Sequence, residues 1–224
     1  PFRGPGHDPF EKNNFFTCLG AAQTFGCYAK EPFPQLLGRQ LNIPVFNAGV
    51  AGAGPSFFLK RKKYIEMANQ SRFVILQVLS GRSESNNLFE SESGRTQLIR
   101  LSDNKKVHAS HAYADILKTL ERETLLSIVE ETRMNYVSYM IDLLEAIEVP
   151  KILFWFSVHS PNYELSFENT AVLFGKFLQL VNKNMLEQMK PYKDHYVECI
   201  SSMGLPQKLI SKFTEQPTYI ENKA

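Results

Sequence analysis

Cysteines and long apolar runs are scarce in this 224-residue sequence, and each scarcity excludes a class of protein. Three cysteines are too few for a disulfide scaffold. The longest apolar runs, 73–79 and 152–156, are far shorter than the roughly 20 residues that cross a bilayer. No signal peptide is recognisable, so we expect a cytoplasmic protein without a membrane partner.

The sequence also has no excess of charge of one sign. Lys and Arg number 25 against 23 Asp and Glu, which gives a net charge of +2. No long-range field would attract nucleic acid, so we expect no nucleic-acid partner. We interpret the basic run 60–63 (KRKK) as a solvated helix face, because no aromatic stacking platform accompanies it. The ordinary composition predicts one globular domain over residues 1–224.

Short apolar segments alternate with helical patterns along the chain. The predicted strands are 15–19, 43–47, 73–79, 151–157 and 195–200. The predicted helices are 34–41, 57–69, 120–147 and 171–189. This alternation predicts a three-layer α/β/α sandwich around a five-stranded parallel sheet.

One long polar stretch, about 83–110, does not fit the alternation. It is rich in Ser, Asn, Glu and Arg and is long for a loop in a compact domain. We therefore predict a functional loop, a lid or an insertion there.

The loops that follow the strands are the places to look for a ligand. In open parallel sheets, ligands bind beyond the carboxyl ends of the strands. The loops 20–26 and 48–55 are small and rich in glycine, as close approach of the backbone to a ligand requires. The loops 80–87 and 158–163 carry the polar groups. The four loops together predict a pocket at one edge of the sheet.

Two side chains in the polar loops are suited to chemistry. Arg82 follows a strand end, where a guanidinium can clamp a carboxylate, phosphate or sulfate. The alternative is a structural ion pair with Glu84, Glu90 or Glu92. His159 follows the fourth strand and is either a general base or a structural residue.

Cofactor and metal sites are not indicated. Gly49, Gly52 and Gly54 do not have the G-x-G-x-x-G spacing of a dinucleotide loop, and we interpret them as a tight turn or as part of the pocket. His108 and His111 have no Cys or acidic partner at metal-ligand spacing. We predict no cofactor and no metal.

Residues 47–53 (NAGVAGA) resemble the second sequence block of the SGNH (GDSL-type) hydrolase superfamily. In that superfamily a glycine at the place of Gly52 supplies a backbone amide to the oxyanion hole. The first block, Gly-Asp-Ser, is replaced here by residues 20–22 (GAA), so Ala22 stands where the nucleophile would be. A serine esterase needs that hydroxyl, and Thr24 is the nearest substitute.

The resemblance is looser at the remaining blocks. The third block, Gly-x-Asn, corresponds here to 80–83 (SGRS), with Asn86 further along, and an Asp-x-x-His block is not visible. The chain is also similar to an uncharacterised bacterial family with this core, whose members are often labelled sulfotransferase and occur in polysaccharide-sulfation settings. The segments that carry this similarity are 19–26, 32–37, 52–55, 80–86 and 154–157.

These resemblances imply a flavodoxin-like or SGNH-like fold and a carbohydrate- or polysaccharide-modifying enzyme. Such an enzyme would be an esterase-like hydrolase or an acyl- or sulfotransferase that acts on an acyl or sulfuryl group. The catalytic candidates are Thr24, Ser80 and His159, and the candidates for binding a substrate or anion are Gln23, Gly52, Arg82, Ser83 and Asn86.

Two other functions remain open. The missing Gly-Asp-Ser block favours a noncatalytic carbohydrate- or anion-binding module. An interaction protein that uses Tyr163 and the 83–110 stretch as a partner surface is the third possibility. The sequence leaves the oligomeric state open.

Overall fold

A computed structural model describes residues 11–26, 28–162, 164, 166–173, 179–203, 207–210 and 217–220. The strands are β1 (Phe16–Gly20), β2 (Val45–Gly49), β3 (Val74–Gln77), β4 (Phe89–Glu90), β5 (Gln97–Arg100), β6 (Lys105–His108), β7 (Lys151–Ser157), β8 (His195–Ile200), β9 (Gln207–Ile210) and β10 (Pro217–Ile220). The helices are α1 (Ala22–Phe25), α2 (Phe33–Leu41), α3 (Pro55–Leu59), α4 (Lys62–Asn69), α5 (Ala109–Thr119), α6 (Arg122–Ala146), α7 (Thr170–Leu173) and α8 (Lys183–Met189). In the described part of the chain, every helix is too short or too polar to cross a membrane.

The central sheet contains five parallel strands in the order β2-β1-β3-β7-β8. Counted within this sheet, the order is 2-1-3-4-5, the flavodoxin-like arrangement. The predicted three-layer α/β fold with a five-stranded parallel sheet is confirmed. Since β1, β3 and β7 are neighbours, the loops that follow them leave from the same edge of the sheet.

Side chains alternate between the two faces of the sheet, as the two-residue period of a strand requires. Leu153 and Trp155 of β7 belong to the large core beneath α3, α4, α6 and α8. Phe154, on the opposite face, packs with Phe33 of α2. Cys18 lies fully buried on the face toward α2, and burial raises the pKa of its thiol well above the ordinary value.

The predicted helix over 57–69 is two helices, because the backbone of Arg61 leaves the helical region between α3 and α4. The Lys60 ammonium donates to the backbone carbonyls of Ser91 (2.6 Å) and Glu92 (3.1 Å). The Arg61 guanidinium donates to the carbonyl of Ser93 (3.0 Å). Lys60, Lys62 and Lys63 are exposed, as the interpretation of a solvated face predicts, but Lys60 and the half-buried Arg61 also bind the polar stretch.

The predicted helix over 171–189 is also interrupted. Leu180 adopts a left-handed conformation (φ 67°), and α8 begins only after Asn182, whose side chain accepts from the amide of Met185. The residues 174–178 of that prediction lie outside the described residues. The helix predicted over 120–147 is confirmed as α6 and is preceded by α5, which the apolar pattern did not indicate.

The polar stretch 83–110 is an insertion with its own three-stranded antiparallel sheet, β4-β5-β6. Phe89 and Leu98 of this sheet pack against α5 and the first half of α6. Gly94 has a positive φ of 68°, and a Cβ at this position would overlap the backbone of Phe57. Its carbonyl accepts from the amide of Gly54 (2.9 Å), which fixes the insertion on the loop after β2.

Candidate functional site

The loop after β1 is held by a buried glutamine that sequence analysis did not select. Oε1 of Gln77, at the end of β3, accepts from the amide of Ala21 (3.0 Å) and from the hydroxyl of Thr24 (2.7 Å). Its Nε2 donates to Oε1 of the partly exposed Gln23 (3.3 Å). Thr24 is fully buried, so its hydroxyl is committed to a structural bond, while Ala22 beside it is exposed.

The loop after β2 lies beneath the insertion. Gly52 has a positive φ of 75°, and a Cβ there would lie 3.0 Å from the hydroxyl oxygen of Thr96. The guanidinium of Arg95 donates to the carbonyl of Ala51 (2.8 Å from Nη2). The amide predicted as an oxyanion donor therefore belongs to a loop whose shape is set by residues 94–96 of the insertion.

Arg82 lies just after β3, in a short 3-10 turn, and is partly buried. Its Nη1 donates to the hydroxyl of Ser110 (3.2 Å), and its Nε is buried without a hydrogen-bond partner among the described residues. Burial lowers the pKa of Arg82 from its ordinary value. The alternative ion pair with Glu84, Glu90 or Glu92 does not form within the described residues.

Ser110, the partner of Arg82, lies at the amino end of α5. The His108 side chain caps this helix, since its Nδ1 accepts from the amide of Ser110 (3.3 Å). Burial lowers the pKa of His108, and the charges of Arg82 and His111 act in the same direction. The rings of His108 and His111 lie 6.0 Å apart. We call these four residues, Arg82, His108, Ser110 and His111, the Arg82 cluster.

Ser83 and Glu84 point inward from the same turn. Glu84 is fully buried, and burial raises the pKa of its carboxyl to about 7, although donors on Ser56 and the charge of Lys60 favour the ionised form. A Cβ at Gly54 would overlap Oε1 of Glu84, so the carboxyl lies directly against the loop after β2. The hydroxyl of Ser83 is buried and has no hydrogen-bond partner among the described residues.

Ser80 and His159 follow the adjacent strands β3 and β7. The Ser80 hydroxyl donates to Oε1 of Gln179 (2.8 Å), whose backbone carbonyl also accepts from the amide of Gly81 (2.9 Å). Nδ1 of His159 lies 2.7 Å from the carbonyl oxygen of Ser160. The two candidates therefore stand at the same edge of the sheet, each with a hydrogen bond to a nearby residue. Tyr163 lies outside the described residues.

Asn86 is directed into the core of the insertion. Its Nδ2 donates to the hydroxyl oxygens of Tyr113 (3.1 Å) and Thr132 (2.9 Å), and its Oδ1 accepts from two amides of the turn that follows. All of these bonds are internal, which assigns this side chain to the turn before β4.

The structure thus divides the predicted residues into groups. Gln23 and Thr24 meet through Gln77, while Arg82 meets Ser110 at the amino end of α5, a residue that the sequence analysis did not select. Gln77 is the one polar residue in the apolar run 73–79, a signal that was available from the sequence. In the part of the chain that the structure describes, no group of three or more His, Cys, Asp or Glu residues could hold a metal ion.

Fold and geometry together define a three-layer α/β domain with a candidate ligand site at the carboxyl edge of its parallel sheet. The chain belongs to the family described as a domain of unknown function (DUF6473), whose model matches residues 1–218. No curated protein matches it in sequence. Among solved structures, it is similar to BT4096, a gut microbial diltiazem-metabolizing enzyme, with 15% identity and a TM-score of 0.37. That match covers 83% of this chain and 34% of the enzyme.

Proposed function

We propose that this domain binds a ligand through an anionic group, held by the Arg82 cluster, and that the ligand is a carbohydrate bearing a sulfate or carboxylate. The observation that carries the proposal is the partly buried guanidinium of Arg82, which has no carboxylate partner among the described residues. The carbohydrate part rests on the sequence resemblance alone.

The physical argument starts from the cost of removing a charge from water. A partly buried cation without a counterion is unfavourable, and an oxyanion offers it two parallel charge-assisted hydrogen bonds. The hydroxyl of Ser110 lies beside the guanidinium, at the amino end of an 11-residue helix. The dipole of that helix favours a negative charge at the same place.

Two observations favour a binding function over the hydrolysis that a serine esterase carries out. The position of the nucleophile is occupied by the exposed Ala22, which has no hydroxyl. Thr24 cannot replace it in this conformation, because it is fully buried and its hydroxyl donates a hydrogen bond to Oε1 of Gln77. Nucleophilic catalysis needs an accessible hydroxyl within reach of a base.

The experiment is a calorimetric titration with inorganic sulfate, a sulfated disaccharide and the same disaccharide without sulfate. We expect the protein to bind the first two, and we expect Arg82→Gln to weaken sulfate binding at least tenfold, since bonds to a charged group contribute about 1.5–3 kcal/mol. The matched control is Arg39→Gln, which removes an exposed guanidinium paired with Glu31. Equal binding by the Arg82 variant and the unaltered protein would remove the Arg82 cluster from the proposal.

A second candidate is an enzyme that modifies acyl or sulfuryl groups on a carbohydrate. The observation in its favour is that Ser80 and His159 follow neighbouring strands and so share one edge of the sheet. The measurement is release of acetate or sulfate from acetylated and sulfated oligosaccharides. This candidate requires measurable release by the unaltered protein and its loss in both Ser80→Ala and His159→Ala.

A further inference from the structure

Glu84 is a fully buried acid, and the hydrogen bonds of the polar groups around it are incomplete. Neither of its carboxyl oxygens meets a donor in good hydrogen-bond geometry among the described residues, although the hydroxyl and the amide of Ser56 lie close enough to act on its pKa. The buried hydroxyls of Ser56 and Ser83 lack partners as well. Buried polar groups without partners are rare, and each needs a physical explanation.

The position of this carboxyl joins two loops that lead to the candidate site. Glu84 follows Arg82 by two residues, and its Oε1 occupies the space where a side chain on Gly54 would stand. Gly54 precedes α3 as its N-cap and has no side chain of its own to offer the helix. The carboxyl of Glu84 stands in that place, beside Ser56 in the first turn.

The charged and titratable groups that face Glu84 come from three helices. Lys60 stands at the end of α3, Tyr113 lies on α5 and Tyr136 lies on α6. The ammonium of Lys60 binds the carbonyls of Ser91 and Glu92 instead of forming an ion pair with the carboxyl. Burial raises the pKa of both tyrosines, so neither carries charge near neutral pH.

We propose that Glu84 is a positioning residue for the Arg82 cluster: its protonated carboxyl joins the loop after β2 to the loop after β3, and loss of that proton weakens anion binding. This inference rests on the function proposed above. It adds a proton-linked control that the anion site alone does not imply.

The two protonation states of the Glu84 carboxyl determine whether anion affinity rises or falls with pH. A neutral carboxyl is both donor and acceptor, so it can bridge the hydroxyls of Ser56 and Ser83. An ionised carboxyl only accepts and is costly to bury without a cation, so it weakens the contact between the two loops. A pKa of about 7 places the change in the neutral range. Anion affinity should therefore fall as the pH rises through 7.

The test is sulfate affinity between pH 5.5 and 8.5, with inorganic sulfate as the probe because it stays a dianion throughout. We expect the affinity to fall about fivefold or more from pH 6 to pH 8, within the usual range of coupling between sites. In Glu84→Gln, whose amide imitates the neutral carboxyl, we expect a flat profile near the high-affinity value. Both histidines of the Arg82 cluster stay in place in this variant, so a pH dependence that comes from them persists in it.

The outcomes separate this inference from the proposed function. If the folded, unaltered protein binds no sulfate at any of these pH values, the proposed function is wrong and this inference is wrong with it. If sulfate binds and Glu84→Gln keeps the original pH profile, the inference alone is overturned. Should Glu84→Gln not fold, calorimetry of the unaltered protein in buffers of different ionisation enthalpy replaces it. Net proton uptake on sulfate binding near pH 7 by the unaltered protein supports the inference, and zero uptake overturns it.

Discussion

The hydroxyl of Thr24 donates to Oε1 of Gln77 across 2.7 Å and connects the loop after β1 to the end of β3. The same oxygen accepts from the amide of Ala21, so one buried carboxamide satisfies two donors. Both donors belong to the segment in which the SGNH resemblance placed a catalytic serine. These buried polar groups therefore hold the loop after β1 in place.

Replacing Gln77 by Leu should therefore destabilise the protein by about 3 kcal/mol, because the amide of Ala21 and the hydroxyl of Thr24 lose their acceptor inside the core. Thr24→Val removes only one donor and should cost about 1 kcal/mol. The measurement is urea unfolding at pH 7.

The matched control for this pair is Thr17→Val. Thr17 is as deeply buried as Thr24, but its hydroxyl has no hydrogen-bond partner among the described residues. Replacing it by an apolar group of the same shape should leave stability unchanged or raise it. A larger loss in Thr17→Val than in Thr24→Val would contradict the assigned role of Gln77.

Glu84→Gln should change the pH dependence of stability. The folded-state pKa of about 7 lies above the ordinary 4.5, so the folded protein holds a proton that the unfolded chain releases between these values. Stability then falls as pH rises from about 4.5 to 7 and is constant above that range, at a total cost of about 3 kcal/mol. We expect the variant to exceed the unaltered protein by up to this amount at pH 8.

Urea unfolding at pH 4.5 and pH 8 measures this effect, and the stability difference between variant and unaltered protein should shrink toward the lower pH. The exposed Glu90 provides the control, since Glu90→Gln should shift stability little at either pH. An equal difference at both values for Glu84→Gln would show that ionisation of this carboxyl is not the cause.

Lys60→Met should loosen the insertion without unfolding the domain. The variant loses two hydrogen bonds from the ammonium to carbonyls of Ser91 and Glu92, so local opening of residues 91–96 should become about tenfold more frequent. Hydrogen exchange of those amides measures it. Lys62→Met, at an exposed position two residues away, should leave the exchange rates unchanged.

Gly94→Ala should cost about 3 kcal/mol or more, because the positive φ and the overlap with the backbone of Phe57 leave no room for a methyl group. Gly52→Ala has a similar φ but meets only the side chain of Thr96 at 3.0 Å. Its cost should be nearer 1 kcal/mol, the price of the left-handed conformation alone. Thermal unfolding of both variants provides the comparison, and equal losses would contradict the assigned contact.

Strands with long apolar runs were the easiest part of the fold to predict. The limits of β7 and β8 agree with the predicted segments, since each contains β-branched or aromatic residues between turn residues, although β8 also carries His195 and Glu198 and is largely exposed. The strands of the insertion were missed because β4, β5 and β6 contain only two to four residues each. Such short strands give too few alternations for a period to be recognised.

The interruptions and the site depend on contacts that a local pattern does not contain. The break between α3 and α4 coincides with hydrogen bonds to residues about 30 positions away. Arg82 was selected for its place after a strand, but its partner Ser110 lies 28 residues further along the chain. The acid Glu84 was considered only as an ion-pair partner of Arg82, because nothing in the local sequence indicates that it is buried.

The buried thiol of Cys18 offers a way to follow the sheet in solution. A reagent that alkylates thiolates reaches this group only when the strands on either side separate, because burial removes both access and ionisation. In a variant with Cys27 and Cys199 changed to serine, the rate at which Cys18 is alkylated measures how often the sheet opens. An anion that binds the folded protein stabilises the closed sheet and lowers this alkylation rate, so its binding can be detected without a chromophore on the ligand.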